Sequence, residues 1–537
     1  MSGADAIGDY LLVVNWAGTS EQFAVPGVPI TTTLQVYGEV SRTRKASFQV
    51  RLPYDVVEAI EEGWDPVELQ GTLFDPAGRV VLAGVCTGAT TRAGDEHVAF
   101  TLEESATTCT ATFPGTFEPD QVRLEQRRVT EDTLSREAVF GLLRYPEWLN
   151  LDWQSDSVQA AARTKLPAAI VDADTLPDDI TSIDGRSGRT YPFPFGSPGG
   201  VTSTPYPGSP ALPLSNATNA ETLMISGGLV DATQVTLYGP DGADGLWSEK
   251  VPVSTQLDDQ GRRFSRVRLN SATRATGDGG NGFDLDGIKG DWWEEEWWVA
   301  WTDGGAGHGN LADLADTLLR ASGCRIDWLR MDEQRRELQG WQVDGYIDEQ
   351  VEPLAYLEQI LRPFPASIVT GADGIWVWMW PSWLEHRLTL EELPGVVVVS
   401  DDRVDHRRPE VNAWWLRYQV DDRLDQPLKV TSIVTRTAQL SQQRHGVQEQ
   451  TVTSDVVARD DVAEALARLR LDYFSTPTTR IRLHLDTERF DGLEVGTFVK
   501  AVLPSRGIDG RLALVVSVTS DGTPMMDVVL FVLQTRV

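Results

Sequence analysis

The sequence predicts a mainly β protein with α+β insertions, in which two small β-barrels lie near the two ends of the chain. Short β-branched or alternating segments separated by turn residues fill positions 10 to 108, and similar segments recur after position 396. Between these regions lie a segment rich in Pro and Gly and a segment with helical periodicity. The predicted domains are therefore residues 1–110, 111–310, 311–395 and 396–537.

The N-terminal region, residues 1–110, is predicted to form the first barrel. Asp75-Pro76-Ala77-Gly78 is a hairpin turn between two of its strands, and one short helix is expected from Asp55 to Glu61. Six strands are predicted, from Leu11 to Trp16, Thr31 to Tyr37, Ala46 to Leu52, Val67 to Phe74, Val80 to Val85 and His97 to Leu102.

Residues 111–310 are predicted to form an ordered but irregular, loop-rich insertion. Pro and Gly crowd together at 189–200 and again at 205–213, and these residues favour turns. Some regular structure is expected within the insertion. It consists of a helix from Leu134 to Leu143 and strands from Val235 to Tyr238, Arg263 to Leu269 and Trp297 to Trp301.

Residues 311–395 are predicted to form a compact α+β unit. Asn310 can cap a helix from Leu311 to Arg320 that carries one apolar stripe, and Gly323 follows as its stop. A second helix starts near Pro353 and ends before Pro363. A hairpin is then expected from Ala366 to Thr370 and from Ile375 to Trp380.

Residues 396–537 are predicted to form the closing barrel with a preceding helix. The helix runs from Asp460 to Phe474, and the segment contains no nucleophile motif, metal cluster or phosphate loop. It is therefore interpreted as a packing module. The strands are expected at 396–400, 413–420, 479–485, 495–499, 512–518 and 527–533.

The charge of the chain argues against binding of nucleic acid. The chain carries 47 Lys and Arg against 79 Asp and Glu, a formal net charge of −32, and the acids are spread along the whole sequence. Binding DNA requires Lys and Arg to replace its counterions. A channel that DNA must cross without sticking should be neutral or acidic, so this composition suits transient passage of DNA without specific binding.

The three cysteines, Cys86, Cys109 and Cys324, are expected to be unpaired thiols in a reducing cytoplasm, since they form no metal or disulfide pattern. The N-terminal residues lack the basic and apolar regions of a signal peptide. No apolar run reaches the length of a membrane span, and we expect no membrane segment. Synthesis in the cytoplasm is the expectation.

Residues 292–301 carry the densest group of Trp residues, with Glu294 to Glu296 between them. Aromatic rings beside carboxylates can stack on sugars while acids flank a glycosidic bond. The alternative is that the rings pack into a domain or subunit interface and the acids face water. Because consecutive Trp pairs place side chains on both faces of a strand, packing against protein is the favoured interpretation.

The remaining motifs assign no catalytic, cofactor-binding or metal residue. Asp284 and Asp286 resemble part of a calcium loop, but Trp293 stands where the bidentate acid is expected, and a solvated turn is favoured. A GxGxxG string at 277–282 has no helix pattern after it. The six histidines are scattered, and His484 is expected to face solvent or an interface. We therefore expect no enzyme activity and no cofactor.

The order of these segments resembles that of the tail hub proteins of tailed bacteriophages, the baseplate components that cap the tail tube. In that family an N-terminal barrel with a hairpin such as residues 73–85 precedes inserted domains. A unit similar to residues 311–380 follows, with two helices, a turn as at 322–327 after the first helix, and a hairpin as at Gly374-Ile375. A barrel similar to residues 480–533 closes the chain. The resemblance covers mainly residues 10–108 and 311–537, and the segment from 110 to 310 does not match.

The resemblance implies a structural virion protein of the tail tip, with two barrels of tail-hub type. Such hubs form homotrimers whose six barrels make a pseudo-sixfold ring, which joins the sixfold tail tube to a threefold central spike or fibre and forms part of the DNA ejection channel. The implied partners are a distal tail protein or tail tube protein, a tape-measure protein and the spike or fibre protein. The alternative is a secreted or surface protein that binds carbohydrate or cleaves glycosides through residues 292–301; the missing signal peptide and paired-acid site count against it.

Overall fold

A computed structural model provides the structure of the chain, and the statements below concern the residues that it describes. These are residues 10–16, 19–25, 30–34, 36, 45–51, 70–74, 78, 80–91, 97–104, 111–114, 192–200, 206–213, 222–228, 230–241, 245–257, 263–268, 297–371, 373–386, 388–399, 405–407, 411–421, 426–520 and 524–536. Strands dominate, which confirms the predicted mainly β class. The predicted helices at 55–61 and 134–143 lie outside the described residues.

The first sheet is antiparallel and follows the predicted N-terminal strands, with one strand, β2, that was not predicted. Its order is β2-β1-β5-β6-β7-β4. Leu73 of β5 lies opposite Leu82 of β6, so the predicted hairpin is confirmed. The strands of this region are β1 (Tyr10–Trp16), β2 (Thr19–Val25), β3 (Ile30–Thr33), β4 (Lys45–Arg51), β5 (Gln70–Phe74), β6 (Val80–Thr91) and β7 (His97–Glu104).

Strand β3 leaves the first sheet and pairs with the last part of the chain. It runs antiparallel to a C-terminal strand, with Ile30 opposite Ser520 and Thr33 opposite Ser517. The amide of Leu34 donates to the carbonyl of Val516 at 2.8 Å, and Leu34 is buried. The two ends of the chain therefore share a sheet.

A closed six-stranded barrel forms within the insertion, with the order β10-β13-β12-β11-β14-β9. Three of its strands, β11, β13 and β14, were predicted. Strand β9 has the sequence SPALP. Because proline is uncommon within strands, this segment was predicted to be part of a loop. The strands are β8 (Phe193–Phe195), which pairs outside the barrel, β9 (Ser209–Pro213), β10 (Thr222–Ser226), β11 (Gln234–Asp241), β12 (Gly245–Leu257), β13 (Arg263–Arg268) and β14 (Trp297–Trp301).

The central unit contains the predicted helices and hairpin together with one helix that was not predicted. Helix α1 begins after Asn310, whose side chain accepts the amide of Asp313 at 3.0 Å, and it ends at Gly323 in the left-handed region. The elements are α1 (Leu311–Ser322), α2 (Trp328–Gln339), β15 (Gly345–Ile347), α3 (Pro353–Leu361), β16 (Ala366–Gly371) and β17 (Gly374–Met379). Helix α2 escaped prediction because only Met331 and Leu338 of its twelve residues are buried.

The C-terminal region contains an eight-stranded sheet and a three-stranded sheet. The larger sheet has the strand order β18-β25-β26-β27-β24-β19, and in addition β20 pairs with β24 and β3 pairs with β26. The smaller sheet has the order β22-β21-β23. The elements are β18 (Leu388–Glu391), β19 (Val397–Val399), β20 (Asp405–Arg407), β21 (Ala413–Asp421), β22 (Gln426–Val430), α4 (Arg436–His445), β23 (Glu449–Thr453), α5 (Asp460–Phe474), β24 (Thr478–Asp486), β25 (Phe498–Leu503), β26 (Ile508–Ser520) and β27 (Met525–Arg536).

Both faces of the larger sheet are apolar. On one face, side chains such as Leu483, Val499 and Leu530 pack against one another and form a core within the curved sheet. The other face packs on the central unit through Phe498 and Phe531, among others. Helix α5, which has the predicted bounds, lies on this second face, so the C-terminal sheet and the central unit share one core.

The barrel core yields a test of packing at Gly239. A Cβ atom at this position would lie 2.6 Å from the ring of Trp297, a buried residue of the barrel. We expect Gly239→Ala to lower the free energy of unfolding by roughly 1 to 3 kcal/mol, since the ring must shift within a closed core. Denaturant unfolding followed by tryptophan fluorescence measures this. Gly228→Ala is the control, because its Cβ would meet nothing closer than 3.9 Å; equal losses in both variants would contradict the expectation.

Candidate functional site

The Trp-rich segment does not form an open groove where the structure describes it. Trp297 and Trp301 are 1% and 0% exposed and lie in the core of the closed barrel. Trp298 is half-buried and contacts the ring of Tyr346 edge-on at 6.3 Å. The described part of the cluster therefore packs against protein, as predicted, and gives sugars no stacking platform. Trp292, Trp293, Asp284, Asp286 and the GxGxxG string lie outside the described residues.

Among the described residues, no group of three or more His, Cys, Asp or Glu side chains is placed to hold a metal ion. Nδ1 of His484 lies against the carboxylate of Asp527 on the neighbouring strand, and both side chains are partly exposed. No described helix has the length and apolar content needed to cross a membrane.

The prediction for the cysteines is wrong at Cys324, which is disulfide-bonded. Cys86 is buried as a thiol. The error arose because the cysteines are far apart in sequence and form no spacing pattern, so nothing in the sequence signals that distant segments bring two of them together.

A buried carboxylate joins the barrel to the rest of the protein. Asp344 is 4% exposed and accepts the amide of Ser197 at 2.7 Å. Its other oxygen lies 3.6 Å from Nε of Arg459, in the segment before α5. Ser197 follows β8, which leads toward the barrel, so one side chain connects the barrel, the central unit and the C-terminal region. We call this group the Asp344 junction.

Backbone contacts surround the Asp344 junction. The amide of Asp344 donates to the carbonyl of Val456 at 2.9 Å, and the next residue, Gly345, pairs with Phe195 across the β8–β15 ladder. Gly196, with a φ of 64°, lies against the carbonyl of Val343 and the carboxylate of Asp344, where any side chain would collide. Sequence reasoning missed this site because a lone acid before Gly345-Tyr346-Ile347 has no distinguishing pattern.

Burial raises the pKa of Asp344 to about 6, since the ionised form loses its hydration. The hydrogen bond from Ser197 and the charge of Arg459 oppose this shift, while the charge of Asp461 adds to it. The pKa of this carboxyl is higher in the folded state than in the unfolded state. Its contribution to stability is therefore fully present at a pH below the unfolded-state pKa and is lost as the pH rises through the folded-state pKa. Ionised Asp344 is therefore less favourable to the fold than its neutral acid.

Replacement of Asp344 by Asn tests this pH dependence. We expect the unfolding free energy of the natural protein, relative to Asp344→Asn, to fall by about 2 kcal/mol between pH 4 and pH 7, since the variant lacks the titrating group. Guanidinium unfolding of both proteins at the two pH values measures the difference. Asp373→Asn, at a side chain that is 77% exposed, controls for the loss of one charge. A relative stability that stays constant with pH would contradict the expectation.

A cleft of about 280 Å³ lies between α2, β17 and the turn before β25. Its floor contains Trp376 and Trp378, which are buried, and the indole Nε1 of Trp378 donates to the carbonyl of Gly496 at 3.2 Å. The segment after β17 forms one wall, and Trp383 on that wall is 75% exposed. We call this feature the α2 cleft. It was not predicted because α2 itself was not.

Charged side chains line the α2 cleft. Arg330 pairs with Glu333 at 2.7 Å and with Glu494 across the cleft. Glu337 accepts the amide of Ser382 at 2.8 Å, which ties α2 to the segment that carries Trp383. Glu385 and His386 complete the polar lining. The carboxylates give the cleft an acidic lining.

The three-stranded sheet presents its outer face and one of its edges to solvent. Tyr418 and Lys429 point to the other face, where both side chains bond to Asp460 of α5 at 3.0 and 2.7 Å. On the outer side, Leu428 and Val430 are 47% and 51% exposed. We call the solvent-facing side of this strand, with Leu428 and Val430, the β22 face.

Comparison with solved structures finds tail proteins. The 43 kDa tail protein of prophage MuSo2 from Shewanella oneidensis aligns over 98% of this chain and 97% of its own, with 9% identity and a TM-score of 0.33. The tail protein from Neisseria meningitidis MC58 aligns over 97% and 96%, with 9% identity and a TM-score of 0.35. A chain of the phage P2 baseplate, in its activated conformation with Ca, aligns over 65% and 89%, with 10% identity and a TM-score of 0.16. The three are tail or baseplate proteins.

No protein-family model and no curated protein matches the chain.

Proposed function

We propose that this chain is a structural, non-enzymatic protein of a phage tail tip: the trimeric hub that joins the sixfold tail tube to a threefold central spike or fibre and lines part of the DNA ejection channel. Its place is the tail tip of the virion, after synthesis in the host cytoplasm. The proposed partners are a distal tail protein or tail tube protein, a tape-measure protein and the spike or fibre protein.

The pairing of β3 with β26 is the observation that carries the proposal. A threefold ring can match a sixfold tube if each subunit contributes two similar β units held at a fixed spacing. The chain has a sheet from each of its ends, and the hydrogen bonds between Ile30–Thr33 and residues 517–520 couple these two regions directly. A coupling of this kind supports a rigid pair of β units in each subunit.

The β22 face supports assembly of the subunits. Contiguous exposed apolar side chains are uncommon on monomeric proteins, and they mark surfaces that another protein covers. Strand β22 is also an outer strand of the described three-stranded sheet, so its backbone groups can pair with another chain. We infer that the β22 face lies between subunits of the trimer.

The carbohydrate alternative finds less support. It depended on the Trp rings of residues 292–301, and two of the described rings, Trp297 and Trp301, lie inside the barrel. A glycan site would also require facing carboxylates beside accessible rings. Nothing among the described barrel residues provides this pair.

The mass of the purified protein tests the oligomeric state. We expect a single species at three times the chain mass of 59.2 kDa in light scattering coupled to size exclusion. Charge placed on the β22 face, by Leu428→Lys with Val430→Lys, should shift the population to monomers, since each Lys would be desolvated on assembly.

The matched control for this experiment is Leu329→Lys, at an exposed apolar residue of α2. Its mass should stay that of the trimer. A monomeric natural protein would remove the hub proposal, and equal dissociation of the control would remove the assignment of the β22 face.

The behaviour of the assembly toward DNA follows from its charge. A trimer carries three times −32, and DNA has roughly one negative charge per 1.7 Å of axis. We expect the inner wall of the channel to be neutral or acidic. In filter binding at low salt, the trimer should therefore not retain linear duplex DNA. Retention that weakens steeply as salt is added would indicate a basic surface and would contradict a freely sliding channel.

A further inference from the structure

We propose that the α2 cleft docks a segment of a different, basic protein, whose Arg or Lys side chain lies between the carboxylates of the cleft and the ring of Trp383. This inference is independent of the hub proposal, because it depends only on the shape, the exposed aromatic ring and the charge of the cleft.

The first support is the exposure of Trp383. The two other Trp residues of the cleft, Trp376 and Trp378, are 6% and 3% exposed, whereas Trp383 is 75% exposed. A large exposed ring beside a concave surface is the residue type that most often anchors a protein interface. Glu337 holds the segment of Trp383 in place through the amide and hydroxyl of Ser382, at 2.8 and 3.3 Å.

The second support is the arrangement of helix α2. Leu329, Glu333 and Glu337 are spaced by four residues, so they lie along one face of the helix. Leu329 is 72% exposed and stands at the start of this face, while Glu333 and Glu337 line the cleft. The cleft is thus acidic along its length, with exposed apolar groups on α2 and on the opposite wall. A partner segment that matches it carries a basic side chain between apolar ones.

The negative charge of the α2 cleft favours a basic partner segment. Four glutamates, at 333, 337, 385 and 494, face one arginine, Arg330, which leaves a formal charge of −3 with His386 neutral. Arg330 already pairs with Glu333 and Glu494, and Glu337 accepts from Ser382, so Glu385 is the cleft carboxylate that remains for a partner's cation. A guanidinium at this position can pair with a carboxylate and stack on Trp383.

A second copy of this chain matches the cleft poorly. Each copy carries a formal charge of −32, and placing one acidic surface in the acid-lined cleft of another adds like-charge repulsion. A basic segment from another protein meets no such repulsion and gains on-rate from the long-range field.

Fluorescence anisotropy with a labelled decapeptide of alternating Arg and Leu, added to the full-length protein at about 0.1 M salt, tests the proposal. We expect saturable binding that Trp383→Ala weakens at least about tenfold, the change typical for the loss of an anchoring Trp. Glu385→Lys should weaken it as well. The matched control is Glu464→Lys, the same charge reversal on the exposed surface of α5, which should leave the affinity within about twofold because exposed charges separated by more than about 10 Å are screened at 0.1 M salt.

Several results would overturn the proposal. One is an equal loss of affinity in Glu385→Lys and Glu464→Lys, since that would show attraction to the general surface charge. Another is equal binding of a peptide in which Glu replaces every Arg. Binding of a neutral oligosaccharide that Trp383→Ala abolishes, with no peptide binding, would assign the cleft to sugars. If Trp383→Ala unfolds, Trp383→Phe with an unchanged circular dichroism spectrum replaces it, and peptide affinity within about twofold of the natural protein would count against the proposal.

Discussion

The packing around Trp380 is the interaction on which the rest of the structure depends. This residue follows the β17 hairpin strand and is 3% exposed. Its ring centroid lies 5.3 Å from that of Phe474 at the end of α5 and 5.3 Å from that of Phe498 in the C-terminal sheet, with steep interplanar angles. Edge-to-face pairs of this kind add stabilisation beyond the area that they bury. One indole therefore fixes a hairpin, a helix and a sheet relative to one another.

The positions of the other features follow from this shared core. Because the hairpin is fixed against the sheet, the turn at residues 494–498 comes to lie beside α2, and the space between them is the α2 cleft. Because α5 lies on the same core, its N-terminal end reaches the three-stranded sheet, where Asp460 binds Lys429 and Tyr418. The hydrogen bond from Lys429 holds the pKa of Asp460 below its usual range, and the hydrogen bond from Tyr418 and the charge of Lys429 add to this effect. The same end of α5 is preceded by Arg459, which reaches Asp344 at the barrel.

Local signals explain which elements could be predicted from sequence. Helix α1 has a cap at Asn310, a stop at Gly323 and a full apolar stripe, and its predicted start is the observed one. Helix α2 has a cap at Asp327, but its sequence is mostly charged and only Met331 and Leu338 are buried. The helical periodicity of its apolar residues is therefore weak. The closed barrel was not predicted, since β9 contains two prolines and one of its partners, β14, is distant in the chain. The Asp344 junction and the α2 cleft exist only through tertiary contacts, and no local pattern encodes them.

The pairing between β3 and β26 has a consequence for the order in which the protein is made. Thr31 and Thr519, whose hydroxyl groups lie 2.8 Å apart, are separated by 488 residues. At a synthesis rate of about 5 to 20 residues per second, the ribosome adds the residues between them in roughly 25 to 100 s. During this interval β3 has emerged but the strand that it joins does not yet exist. The ladder between β3 and β26 is therefore completed only after the barrel, the central unit and most of the C-terminal sheet have been translated.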